Sequence, residues 1–159
     1  MKNRVKTKVI AQVNSFAEAE LAKECGVSGV KINLTSLDEL EKYRDITSEL
    51  ELVVSQHMSL WSHFASAEEK KCDAIQIDTQ WNNNLSFIKQ MSSQSKKIYV
   101  CDSGLELAEI KKIMSFAQPS QLTFLHTFRS QQSQLLNTDF MITKWTQNLG
   151  YSVGSVDDS

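Results

Sequence analysis

A few polar side chains stand where short apolar runs end, and these are the residues with chemistry to offer. Lys31 is embedded in Val30-Lys31-Ile32-Asn33. A charge inside such a run must meet an opposite charge, an anionic ligand or solvent. Lys31 is therefore either a binding point for a carboxylate or phosphate, or one half of an ion pair with Asp78 or Asp102. His126 ends Phe124-Leu125-His126-Thr127, where an imidazole can be a metal ligand, an acid/base group or a hydrogen-bonded structural residue. His57 and His63 are too far apart in sequence to share a helix face, so their spacing makes no metal pair. Ser103-Gly104 follows another apolar run and reads as a helix start whose free N–H groups face an anion, although Asp102 beside it opposes one. There is no G-x-G-x-x-G, no P-loop and no G-x-S-x-G, so nucleotide binding and serine hydrolase chemistry lack support.

Such residues act together only if the fold gathers them. β-Branched runs recur at Val9–Val13, Val30–Leu34, Leu52–Ser55, Ala74–Asp78, Lys97–Cys101, Leu122–Thr127 and Tyr151–Val153. Their centres lie about 20 to 28 residues apart, which suits alternating strands and helices. After Cys101, the spacing of Leu107, Ile110, Met114 and Ala117 predicts one buried helix stripe, with Glu106, Glu109, Lys111 and Lys112 elsewhere on the wheel. Ser15 with Glu18, Ser36 with Glu39 and Ser103 with Glu106 each have the Ser-x-x-Glu spacing of a capping box just after a strand. Gly26 and Gly29 stand where the first helix should stop and the second strand begin, and Pro119 follows the helix after Cys101.

This alternation predicts an α/β fold with a parallel sheet, doubly wound or closed as a barrel, of six βα units and a seventh strand. An eight-fold barrel takes about 250 residues, so a barrel here is incomplete and leaves open edges. In either architecture the ligand face lies at the carboxyl ends of the strands. Gln12, Asn14, Lys31, Asn33, Gln56, His57, residues 78–80, residues 102–104, His126 and Thr127 should converge there.

The composition is that of a globular chain: 159 residues, 41% hydrophobic and 23% charged. Lys and Arg number 17 against 19 Asp and Glu, so no global charge favours nucleic acid or an anionic membrane, and neither partner is expected. Lys2, Arg4, Lys6 and Lys8 alternate with Val5, Thr7 and Val9 as on an edge strand, while Gln12, Asn14, Glu18 and Glu20 interrupt the apolar segment an export signal needs. No apolar run is long enough to span a bilayer. Cys25, Cys72 and Cys101, scattered and odd in number, read as free thiols of a core in a reducing cytoplasm.

The order of motifs resembles the sialic acid synthase family, barrel enzymes that condense phosphoenolpyruvate with an N-acetylated sugar. Asp73-Ala74-Ile75-Gln76-Ile77 and Asn84-Leu85-Ser86-Phe87-Ile88 resemble the family's D-A-x-K-I and N-L-P-L-I. Lys97 to Ile110 resembles its K-P-x-I-x-S-T-G-M segment with the following helix, and Leu125-His126-Thr127 its L-H-C. Asn137 resembles its downstream asparagine, and Gly150-Tyr151-Ser152 the start of its G-Y-S-D-H-T. Upstream, Ala11-Gln12-Val13 and Val30-Lys31-Ile32-Asn33 are similar to A-E-I and V-K-F-Q.

The resemblance implies a TIM-type (β/α) barrel over residues 1–159 as a single domain, without the family's C-terminal sugar-binding domain. It implies catalytic positions at Gln12, Lys31 and His126, ligand-binding positions at Lys31, Asn33, Asn84, Ser103 and Gly104, and a divalent metal, manganese or magnesium, at His126. Several family positions are replaced. Gln12 stands for the early glutamate, Gln76 for the fourth-strand lysine, and Val153-Gly154 for the Asp-His of the second metal ligand. The expectation is a synthase-like protein of nonulosonic acid biosynthesis whose own condensing activity is impaired. The alternative is a non-catalytic binding or scaffold protein that pairs through an open barrel edge with itself or a full-length homologue.

Overall fold

A computed structural model describes residues 8–34, 38–56, 72–78, 82–93, 96–102, 104–128 and 146–157, with side chains left aside at 34, 38, 56, 126–128 and 155–157. The expectations on residues 2–7, Ser36, His57, His63, Ser103 and Asn137 lie outside these residues. The chain forms two compact units, Met1–Ala74 and Ile75–Ser159. In the sheet the strands follow chain order from β1 to β7.

The first unit holds β1 (Ile10–Val13), α1 (Phe16–Glu24), β2 (Gly29–Leu34), α2 (Asp38–Ile46) and β3 (Glu51–Gln56). The strands are parallel, with Gln12 opposite Lys31 and Lys31 opposite Val53. Val30, Ile32, Leu52 and Val54 are almost fully buried, each contributing about 1.5–3 kcal/mol of apolar transfer. Ser15 caps α1 as the sequence predicts, its hydroxyl accepting from the Glu18 N–H at 3.2 Å. The Glu18 carboxylate accepts in return from the Asn14 N–H at 2.7 Å, one residue earlier than a standard box. Gly26, at φ +73°, ends the helix in the left-handed turn that favours glycine.

Asp73 fastens the chain just before β4 (Ala74–Ile77). Its Oδ2 accepts from Arg44 Nη1 at 2.7 Å and from the Leu52 N–H at 2.9 Å.

The second unit continues with α3 (Leu85–Ser92), β5 (Lys97–Cys101), α4 (Leu107–Met114), β6 (Leu122–Phe128) and β7 (Ser152–Asp157). Strands β5, β6 and β7 are parallel neighbours. All four residues of β4 are buried, as expected of a strand covered on both faces.

Three expectations need correction. The helix after Cys101 opens at Leu107, not at Ser103: Gly104 takes φ +80°, the Leu105 N–H donates to the Asp102 carbonyl at 3.0 Å, and this turn delays the helix. Glu106 and Glu109 form its capping box, the Glu106 N–H donating to Glu109 Oε2 at 2.9 Å. Of the expected stripe Ile110 and Ala117 are buried and Ile113 joins them, while Leu107, in the first turn, is 45% exposed. Of the cysteines, Cys72 and Cys101 are buried but Cys25, at the C-cap of α1, is exposed. Finally, β7 runs on to Asp157 instead of ending at Val153.

Candidate functional site

Each unit places polar side chains at the carboxyl ends of its strands. In the first, parallel register sets Gln12 of β1 beside Lys31 of β2, and Lys31 Nζ donates to Gln12 Oε1 at 3.3 Å. Asn33 lies one pleat further along β2, on the same face as Lys31, and is exposed. Lys31 is half-buried, which strengthens its field over that of a free surface lysine. With the Gln12 carbonyl turned to the ammonium, its NH2 remains a donor. One cation flanked by two amides suits a carboxylate or phosphate oxygen.

The second unit carries a different chemistry. Gln76 and Cys101 are buried near the ends of β4 and β5, and Asp78 follows β4 half-buried. Gln76 Nε2 donates to Asp78 Oδ1 at 2.6 Å and to Cys101 Sγ at 3.7 Å, and the thiol lies 4.0 Å from the same carboxylate oxygen. Buried Asn82 donates from Nδ2 to the Cys101 carbonyl at 2.7 Å and fixes the strand end. Asp102 adds a second half-buried carboxylate. Asp78 and Asp102 were legible as strand-end residues; the link from Gln76 to Cys101 was not, because it joins positions on two strands.

Of the other expected site residues, Asn84 caps α3, its Oδ1 accepting from the Phe87 N–H at 3.0 Å. Gly104 sits exposed in the turn before α4, so the helix N–H groups expected beside it belong to residues further on. His126 is in β6 with Ser155 as register partner; its imidazole lies outside the described side chains.

The divalent metal expected at His126 falls on a side chain outside those described. The Gln12 oxygen is turned to an ammonium, and neutral amides are weaker ligands than carboxylates for such an ion. No group of three or more His, Cys, Asp or Glu able to hold a metal occurs among the described residues. No described helix is long and apolar enough to cross a membrane.

No family model matches the sequence, and no curated protein matches it. Solved structures do match. The spore coat polysaccharide biosynthesis protein spsE of Bacillus subtilis superposes with a TM-score of 0.74 at 13% identity, over 96% of this chain and 53% of that one. The N-acetylneuraminic acid (sialic acid) synthetase of Leptospira borgpetersenii, in complex with citrate, gives 0.75 at 10% identity, over 96% of this chain and 66% of that one. A truncated 3-deoxy-D-arabino-heptulosonate 7-phosphate synthase of Thermotoga maritima gives 0.64 at 12% identity, over 94% and 74%. What they share with this chain is the fold. It is a TIM-type (β/α) barrel, incomplete among the described residues, which supply seven of its strands. The chain spans between half and two thirds of the first two structures, and at such identities the likeness carries no activity with it.

Proposed function

We propose that the chain is a sialic-acid-synthase-like protein of carbohydrate biosynthesis that keeps an anion-binding point at Lys31 and has lost most or all condensing activity. The observation that carries this reading is the Lys31–Gln12 pair, Gln12 near the carboxyl end of β1 and Lys31 midway along β2 with Asn33 nearer its carboxyl end. There the ammonium neutralises a carboxylate or phosphate oxygen, the Gln12 carbonyl holds the ammonium in place, and the amides of Gln12 and Asn33 donate to the remaining oxygens. Phosphoenolpyruvate has the matching groups.

Loss of turnover rests on the second unit. Where the resembling family has a lysine, Gln76 gives its amide to Asp78 and Cys101, and Asp102 adds negative charge. Carboxylates in place of a cation repel a phosphate in a partly desolvated setting. The test is thermal unfolding with phosphoenolpyruvate, together with an assay for phosphate release in the presence of N-acetylated aldoses and manganese. The expected result is a saturable rise in midpoint, about 2.7 kcal/mol at one hundred times Kd, absent in Lys31→Ala. Phosphate release should stay at the blank level. An unmoved midpoint sinks the binding point, and sugar-dependent phosphate release sinks the loss of activity.

A further inference from the structure

Among the described residues β1 is the end strand of the sheet, with β2 as its one neighbour. The Gly29 N–H donates to the Val9 carbonyl, so Val9, Ala11 and Val13 turn their main-chain groups toward β2. Ile10 and Gln12 alternate with them and turn theirs outward, where nothing pairs with them among the described residues. A row of such groups is a template for another strand. An apolar margin runs beside it. Val9 is 57% exposed, and Ile10 and Ala11 are half-buried, whereas all of β4 is buried. The chain leaving α1 returns to the level of Val9, whose carbonyl accepts from the Ser28 N–H at 2.8 Å. On α1, Phe16 packs against Tyr43 of α2 with ring centroids 4.5 Å apart. Leu21 lies about 140° further round the helix, on the flank turned away from α2, and is 58% exposed.

This edge is complementary to itself. Antiparallel pairing of β1 with the β1 of a second copy, about a two-fold axis at Ala11, sets Ile10 opposite Gln12 in both directions. Each such pair exchanges two main-chain hydrogen bonds, so every outward group is met. Ala11 faces its own copy in the close, non-hydrogen-bonded position, where its small side chain fits, and Val9 comes opposite Val13 of the other copy and is covered. Charge agrees with this register. Lys8 comes opposite Asn14 of the other copy, so the chain ahead of it, with Lys2, Arg4 and Lys6 and no acidic residue, joins beside an α1 that bears Glu18, Glu20 and Glu24 against Lys23. We propose that the chain forms a two-fold dimer through antiparallel β1–β1 pairing. The pairing uses the main chain of Gln12 and leaves its side chain at Lys31, so it stands apart from the anion-binding point.

Sedimentation equilibrium of the full chain across the micromolar range should give twice the chain mass, and Ile10→Pro should raise the dissociation constant at least about tenfold. Ile10→Pro removes an outward N–H and spares the ladder to β2, so the far-ultraviolet circular dichroism should not change. Cross-linking in a Cys25→Ser background reads the register. Across the axis the two Ala11 Cα atoms should lie about 4.5 Å apart, within disulfide reach, so Ala11→Cys should form a linked dimer on oxidation with diamide. The two Val9 positions are offset by roughly 14 Å along the strands, and Val9→Cys should not link. A monomer at every concentration would overturn the proposal, leaving the edge to a different occupant. So would a dimer that Ile10→Pro leaves intact, or one that links through Val9→Cys as well as through Ala11→Cys, or through neither. The wild-type mass and the two cysteine variants decide even if Ile10→Pro fails to fold.

Discussion

A Cβ added at Gly29 would lie 2.6 Å from the Glu51 carbonyl oxygen, closer than any real contact, and the obstacle is backbone. Gly29→Ala must push β2 from β3, and we expect a loss of about 2–4 kcal/mol in urea unfolding, the range of steric faults at strained or close-packed positions. Tyr151 gives a pH test. Burial raises its phenol above the ordinary 10.0, and its hydroxyl donates to the Met114 carbonyl at 2.9 Å. Above pH 10.0 the unfolded phenol ionises first, so this stabilisation is complete below that pH and is lost as pH rises through the folded value. Tyr151→Phe should cost about 1 kcal/mol at neutral pH and flatten the alkaline fall in melting temperature. Tyr43, raised by burial and then by Glu39 and Glu18, adds a fall of the same sign that the variant leaves in place. Lys31 was legible at this scale because a charge within an apolar run stands out. Gln76 was legible only as a replaced position, since its partner Cys101 is 25 residues away on another strand.

Elements were easier to read where the chain signals locally. Lys97–Cys101 is a strand with the expected bounds, and Ser15 caps α1 as its spacing to Glu18 predicts. The same spacing from Ser103 to Glu106 misled, because the left-handed Gly104 and the turn from Asp102 to Leu105 intervene before a helix can start. Capping then passes to Glu106 and Glu109, so Glu109→Ala should cost about 0.5–2 kcal/mol by denaturant unfolding, while Ser115→Ala, beyond the first turn, should not test this cap. Gly154 misled in a similar way. It follows the last expected β-branched run, which ends at Val153, yet it stands opposite Leu125, where a Cβ would meet Leu125 Cδ2 at 2.8 Å, and the strand continues past it. Within α4, Ile113 is fully buried and Leu107 is not, so Ile113→Ala should cost about 2–5 kcal/mol and Leu107→Ala far less.

For the whole molecule, the alternation of strands and helices was enough to reach a parallel sheet, and the length to reach an incomplete barrel; the division near Ala74 had no mark in the sequence. Gly29 and Ile113 belong to different units, so the costs of Gly29→Ala and Ile113→Ala should add to within about 0.5 kcal/mol in the double variant, as separate sites do. The cysteines offer a finer view of the same division. Cys25 is exposed, whereas Cys72 is 4% exposed in the first unit and Cys101 4% exposed in the second. A maleimide dye should therefore tag the native chain at one place, and the two remaining thiols become clocks. The order in which they take up label on dilution into urea, read by peptide mass, times the opening of each half.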